Sequence, residues 1–257
     1  MDDYARAAPG RPLQAESHRA DVLSAMAGRR SVRAFLDSPV DRSLIEEILD
    51  AARWAPSGAN IQPWHVYVLS GAWKQKVTAA VMAERTAKRP PAPDYTYYPS
   101  DWFEPYRRRR IALGSAMYRS LGGYQAPKAR EEAWNRNYSF FGAPVALLFF
   151  IDRRLNTGSC LDYGMFLQNV MLAARANGLD TCPQASIADY PGVIRRVLDV
   201  PDDQLLVCCL SLGYADMTQP VNCFERTRVE VSDFTVFRDD GGEMASSQHP
   251  ESFANKE

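Results

Sequence analysis

The sequence predicts an α+β sandwich around a small mixed sheet, and three observations predict it. Pro144 to Asp152 is a continuous apolar run of strand length, the mark of a strand covered on both faces. Leu205 to Leu212 is a second apolar strand. Around them lie segments with helical periodicity, some joined by long connections. The 257 residues suffice for one large domain with a substantial buried core.

In chain order, residues 1–16 read as a flexible arm, and a helix-like segment precedes Arg29. Asp41 can cap a helix running to Trp54, with Leu44, Ile45, Ile48, Leu49 and Ala52 on one face. Trp64 to Ser70 reads as a strand, and Ala72 to about Lys88 as a helix. Residues 89–102 hold four prolines among Tyr95, Tyr97, Tyr98 and Trp102, which predicts an aromatic loop without regular structure. A helix from about Glu104 to Leu121 follows. The segment Cys160 to Asn177 is helical and apolar nearly all round, which suits either a domain core or an interface between subunits. Gly178 is placed to end it. A short helix, Pro191 to Leu198, precedes the second apolar strand, and an extended stretch then runs to Phe237. The expected domain is 17–238, with 89–125 as an aromatic cap and 239–257 as a flexible tail.

Composition narrows the function. A formal net charge of −1 offers no global field for nucleic acid or an anionic membrane. No apolar run reaches the ~20 residues of a bilayer span. Met1 to Ala20 is polar and lacks the apolar core of a signal peptide, so a cytoplasmic location is expected. The five cysteines follow no zinc or C-x-x-C spacing and read as free, buried or half-buried thiols. With only three histidines, no metal site is expected, and no side chain stands out as a catalytic acid, base or nucleophile.

Two segments carry the chemistry. Arg29-Arg30-Ser31-Val32-Arg33 offers cations and a hydroxyl to a phosphate. Pro56-Ser57-Gly58-Ala59-Asn60-Ile61-Gln62-Pro63-Trp64 is a small-residue loop able to approach a flat polar heterocycle. Together they describe a flavin mononucleotide. Arginine alone is weak support, because 25 of the 30 basic residues are arginine. Arg226-Thr227-Arg228 is therefore no signal by itself, and Arg107 to Arg110 reads as a solvated helix face. No G-x-G-x-x-G and no P-loop occurs, so no dedicated nucleotide-binding domain is indicated.

The R-R-S-x-R opening, the A-P-S-x-x-N-x-Q-P-W segment, the F-F-G-A-P-V strand entry, the G-L-x-T turn and the final N-x-x-x-R-T-R occur in that order. In this the chain resembles the nitroreductase family of FMN-dependent flavoproteins, from about Met26 to Phe237. The resemblance implies a three-layer α/β/α sandwich with a mixed central sheet, forming an interlocked homodimer with a tightly bound FMN in each interface cleft. Arg29, Arg30, Ser31 and Arg33 would contact the phosphate and ribityl chain, helped by Arg226 and Arg228. Pro56, Ser57, Gly58 and Asn60 would come from the partner subunit. Pro183, Gln184 and Ala185 would form the turn at the flavin's redox face, with a backbone N–H near Ala185 reaching N5. Many relatives carry Glu-Gly where this chain has Ala185-Ser186, so a carboxylate role there is lost. Asn135, Arg136 and Asn137 are candidates for the pyrimidine edge, against an ordinary polar loop.

Tyr95, Tyr98, Trp102 and Tyr106 lie where the family places a variable cap, and would wall a planar substrate. The implied activity is reduction of nitroaromatic or quinone-like acceptors by NAD(P)H, in a ping-pong scheme in which donor and acceptor occupy one site in turn. Reductive dehalogenation, flavin destruction or non-catalytic FMN binding are the alternatives; Ser31 and Gln62 favour the nitroreductases.

Overall fold

The computed structural model describes residues 15–123 and 127–238. The expected terminal arm and tail fall outside them, apart from Ala15 and Glu16, which already belong to a helix. Helices are α1 (Ala15–Gly28), α2 (Arg42–Ala52), α3 (Gly71–Thr86), α4 (Tyr106–Ser120), α5 (Pro127–Asn135), α6 (Thr157–Ala176) and α7 (Pro191–Leu198). Strands are β1 (His65–Ser70), β2 (Val145–Asp152), β3 (Asp180–Gln184) and β4 (Gln204–Gly213), in the order β1-β2-β4-β3.

All three ladders of this sheet are antiparallel. The mixed sheet expected from the sequence is thus reduced to one isolated parallel bridge, Ser31 to Thr181, at the β3 edge. Strand β2 lies between β1 and β4 and has a helical layer on each face, which explains its unbroken apolar run. Val145, Leu147, Phe149 and Ile151 face a layer containing Ile45 and Ile48 of α2 and Phe166 and Val170 of α6. Ala146, Leu148 and Phe150 face the other layer, with Val77 and Val81 of α3 and Ile194 of α7. The result is the three-layer sandwich.

Helix ends follow local chemistry. Gly178, at φ 75°, adopts the left-handed turn after α6, and Leu179 N–H donates back to Ala174 O at 2.9 Å. Asp41 occupies the N-cap of α2 with extended backbone, but its side chain makes no capping hydrogen bond. The pairing of β2 with β4 shifts register between Phe149 and Phe150, so that Val207 opposes no β2 residue. Its carbonyl instead accepts a hydrogen bond from the Tyr95 hydroxyl.

The first compact unit runs to Phe224. The C-terminal unit begins at Glu225 and, over its described residues, contains one 3-10 turn, Val231–Asp233, closed by reciprocal Glu230 and Asp233 contacts. The stretch after β4 is therefore irregular rather than extended, with a second 3-10 turn at Pro220–Asn222.

Candidate functional site

A cavity of about 820 Å³ opens between the end of β3, the segment 136–141 and the cap. That volume lies in the usual range for small-molecule sites. One wall comes from the end of β3 and the turn after it: Cys182, Pro183, Gln184, Ala185 and Ser186. Arg33, Arg136 and Asn137 supply polar groups, and Phe141 an apolar face. The opposite wall is Tyr95 to Tyr98 together with one face of α4, running through Arg110, Gly114, Met117, Tyr118 and Leu121.

A hydrogen-bond frame holds the first wall. Val32 N–H donates to Thr181 O at 2.9 Å, laying the arginine cluster along β3. Arg33 N–H donates to Asn222 Oδ1 at 2.8 Å, and the fully buried Asn222 amide donates to Ala34 O and Asp216 O. Arg136 Nη2 donates to Arg33 O at 3.0 Å, so the two cations share one corner. Gln184 Nε2 donates to Asn137 O, and Gln184 Oε1 accepts from Ser211 Oγ at 2.6 Å. The Gln184 side chain is thereby committed to joining β3, β4 and the 136–141 segment; only its backbone remains for a ligand.

Phe140 and Phe141 hold left-handed backbone, at φ 55° and 54°. Such conformations cost of order 1–3 kcal/mol each for bulky residues and persist where packing enforces them. Both are buried, and the strain turns Phe141 into the cavity wall just before Gly142.

Electrostatics keep the one thiol at this wall protonated near neutral pH. Burial pushes the Cys182 thiol up to about 11, against the opposing pull of Arg33 and Arg29. Burial raises the Asp189 carboxyl too, opposed by the Tyr138 hydroxyl and by Arg85. Tyr138 OH donates to Asp189 Oδ2 at 3.1 Å, fixing this carboxylate at the cavity edge. Among the described residues no cluster of metal-ligating side chains occurs. All five cysteines are free, three of them buried, whereas Cys160 and Cys223 are exposed.

The loop at residues 56–62 stands elsewhere, on the N-terminal half of α6. Gly58 N–H donates to Asp162 Oδ2 at 3.1 Å, and Gln62 N–H donates to Ser57 Oγ at 3.0 Å. Ala59, Asn60 and Gln62 all have positive φ, although none is glycine. Pro56, Gly58 and Asn60 are exposed, and none lines this protomer's cavity.

Residues 26–214 match the family model described as "Nitroreductase family". The chain belongs to the nitroreductase family. It is 43% identical over 211 residues to the chloronitrobenzene nitroreductase of Comamonas testosteroni, covering 81% of this chain and 93% of that protein. The FMN- and NADPH-dependent nitroreductase NfnB of Sphigopyxis sp. strain HMH superposes with a TM-score of 0.83 at 39% identity, over 85% of this chain and 99% of that one. The FMN-dependent NfnB of Mycobacterium smegmatis, solved with NADPH, superposes at 0.82 with 30% identity, over 86% and 100%.

Set beside this cavity, the sequence-derived residues divide into those that line it and those that do not. Arg33, Asn137, Pro183, Gln184, Ala185, Tyr95 and Tyr98 meet in its wall. Arg29, Arg30 and Ser31 lie beside β3 but outside that wall, and Arg30 Nη2 donates to Phe224 O at 2.6 Å. Trp102 and Tyr106 also stand outside it: Trp102 packs on Tyr98 at 5.4 Å, and Tyr106 meets Phe103 edge-on at 5.1 Å. Arg226 and Arg228 belong to the C-terminal unit, where Arg228 Nη1 donates to Thr227 O. Sequence reasoning missed Tyr118 and Asp189, and it takes Arg110, which lines the cavity, for part of a solvated helix face. For α4 a signal existed, since positions 110, 114, 117 and 121 recur at helical spacing. The β3 strand was read only as a turn, because five residues interrupted by Pro183 carry little periodicity.

Proposed function

We propose that this protein is an FMN-dependent oxidoreductase that uses NAD(P)H to reduce nitroaromatic or quinone-like acceptors. The observation that carries this reading is the cavity, where Arg33 and Arg136, the turn at Ala185-Ser186 and an aromatic wall converge. The relatives named above, which are 30% to 43% identical to this chain, are nitroreductases.

The residues present fit the cofactor. Ser186 Oγ is buried with no hydrogen-bond partner among the described residues, and it sits in the cavity wall. A polar atom so placed costs free energy unless a ligand reaches it, and a flavin's polar edge would do so. Bound FMN supplies a ring that takes a hydride equivalent from NAD(P)H and passes electrons to the acceptor. Arg33, with Arg29, Arg30 and Ser31 alongside, serves the phosphate and ribityl chain. Arg136 and Asn137 serve the pyrimidine edge. The backbone at Ala185 orients the redox face, while Phe141 and the cap exclude water. Residues 89–123 act as that cap, and the last two residues of the expected cap, 124 and 125, lie outside the described residues.

The functional unit of this reading is a homodimer. Leu161 and Met165 of α6 are exposed, 69% and 40%, and the strained 56–60 loop turns outward beside them. A Cβ at Gly58 would meet only Asp162 within 4 Å, so nothing among the described residues crowds this position. Pro56, Ser57, Gly58 and Asn60 then complete the partner's site. Five free thiols suit a reducing, cytoplasmic compartment, and no helix among the described residues is long and apolar enough to cross a membrane.

The test is an absorbance spectrum of the purified protein, followed by anaerobic NADH or NADPH. Flavin bands that bleach with the reductant and return with a nitroaromatic are expected. A colourless protein that FMN cannot reconstitute would end this reading.

A further inference from the structure

Arg110 differs from the rest of its arginine run. Of residues 107–110 it alone lines the cavity, on the α4 face shared with Gly114 and Met117. Arg107 reaches back to Trp102 O, and Arg109 packs over Tyr106. The Arg110 Cζ lies 4.8 Å from the centroid of Trp102, which holds the planar fork against a ring.

The charges of the cavity are unbalanced. Among the described residues its cations are Arg33, Arg110 and Arg136 and its one carboxylate is Asp189, engaged by Tyr138. Arg33 and Arg136 donate to the backbone carbonyls of Ser31 and Arg33. Among the described residues, Arg110 forms no ion pair within 4.0 Å, and its guanidinium packs on the Trp102 ring. Beside it, Tyr97 and Tyr98 meet edge-on at 4.6 Å, and Tyr98 tilts onto Trp102. A cation at the end of an aromatic wall matches one kind of ligand, a flat ring bearing an anionic group.

We propose that Arg110 is a specificity-determining subsite that binds the carboxylate of an acidic nitroaromatic acceptor, so that this enzyme prefers carboxylated nitroarenes to neutral ones. The proposal rests on the nitroreductase function argued above. Arg110 is exposed, so its pairing is weakened by solvent, and the expected preference is about tenfold.

The experiment compares kcat/KM for 4-nitrobenzoate with that for 4-nitrobenzamide, which has the same shape without the charge. In the FMN-loaded enzyme, Arg110→Gln is expected to lower that ratio about tenfold; Arg110→Lys, which keeps the charge but not the fork, falls between. Arg108→Gln removes the same charge from the same helix away from the cavity, and keeps the wild-type ratio. Calorimetric titration with benzoate, which cannot be reduced, reads the subsite without turnover and should weaken in Arg110→Gln alone. An unchanged ratio in Arg110→Gln overturns the proposal, as does an equal fall in Arg108→Gln, which would mean a diffuse field. So does a fall in NADPH preference over NADH with the carboxylate ratio intact, which would assign the cation to the donor's phosphate. If neither nitroarene is reduced, the function fails rather than the subsite, and benzoate titration still decides the latter.

Discussion

Strand β2 buries seven of its eight residues, whereas the 15-residue helix α4 buries none. Helix α4 lines the cavity and β2 does not, and the two regions answer to different demands. Residues of β2 touch both helical layers, so each side chain is fixed by close packing and a change of one methylene is felt throughout. Residues of α4 touch solvent and cavity, so they can change with little loss of stability. The scaffold thus sets where a cofactor fits, and the cap is free to set what reacts with it. Between them stands a tether. Asp94 Oδ2 accepts from Arg195 at 2.5 Å and Oδ1 from Arg153 at 2.7 Å, Tyr95 hydrogen-bonds Val207, and Ala92 N–H donates to Asp189 O.

The contrast can be broken most sharply in the core. Phe149→Ala, at a fully buried position, should cost about 3–5 kcal/mol in denaturant unfolding. A loss below about 1 kcal/mol would show that β2 is not the stability centre claimed for it.

The tether should come next. Asp94→Asn is expected to cost roughly 2 kcal/mol, the range for hydrogen bonds to charged groups. Burial works to raise the Asp94 carboxyl, yet its hydrogen bonds from Arg195 and Arg153 hold it below the ordinary value. A lowered native value means that the unfolded chain binds the proton more tightly. The stabilisation is therefore complete above the ordinary carboxylate range and lost as pH falls through the lowered native value. Thermal midpoints across the acid range should show a smaller difference between wild type and Asp94→Asn at the acid end. A constant difference would detach the tether from this carboxylate.

The smallest effect on stability is expected in the cap. Tyr98→Ala, at a position 57% exposed, should change unfolding by less than about 0.5 kcal/mol. It should nonetheless raise KM for a nitroarene roughly fivefold, through loss of a ring contact worth about 1 kcal/mol. Equal losses of stability in Tyr98→Ala and Phe149→Ala would erase the distinction between scaffold and cap.

Much of this was legible locally. The spans of α7 and β2, and the stop of α6 at Gly178, follow from periodicity and turn chemistry within a few residues. The cluster at Arg29 to Arg33 and the loop at Pro56 to Asn60 were visible as residue types suited to a phosphate and a flat ring. Less legible was which of them meet. Gln184 looks in sequence like a ligand for a flavin, and in the fold it is a buried link to Ser211 and Asn137. Trp102 looks like a substrate wall and instead backs Tyr98 and Arg110.

The apolar strands, most of the helices and the family are legible along the chain, because each is written in runs of neighbouring residues. The antiparallel sheet, the place of β3 at its edge and the one arginine of four that turns into the cavity emerge only on folding. Those outcomes depend on pairings such as Arg30 with Phe224, 194 residues apart, or Val32 with Thr181. Local periodicity carries no term for such partners; they are chosen by which faces remain uncovered once the layers have packed.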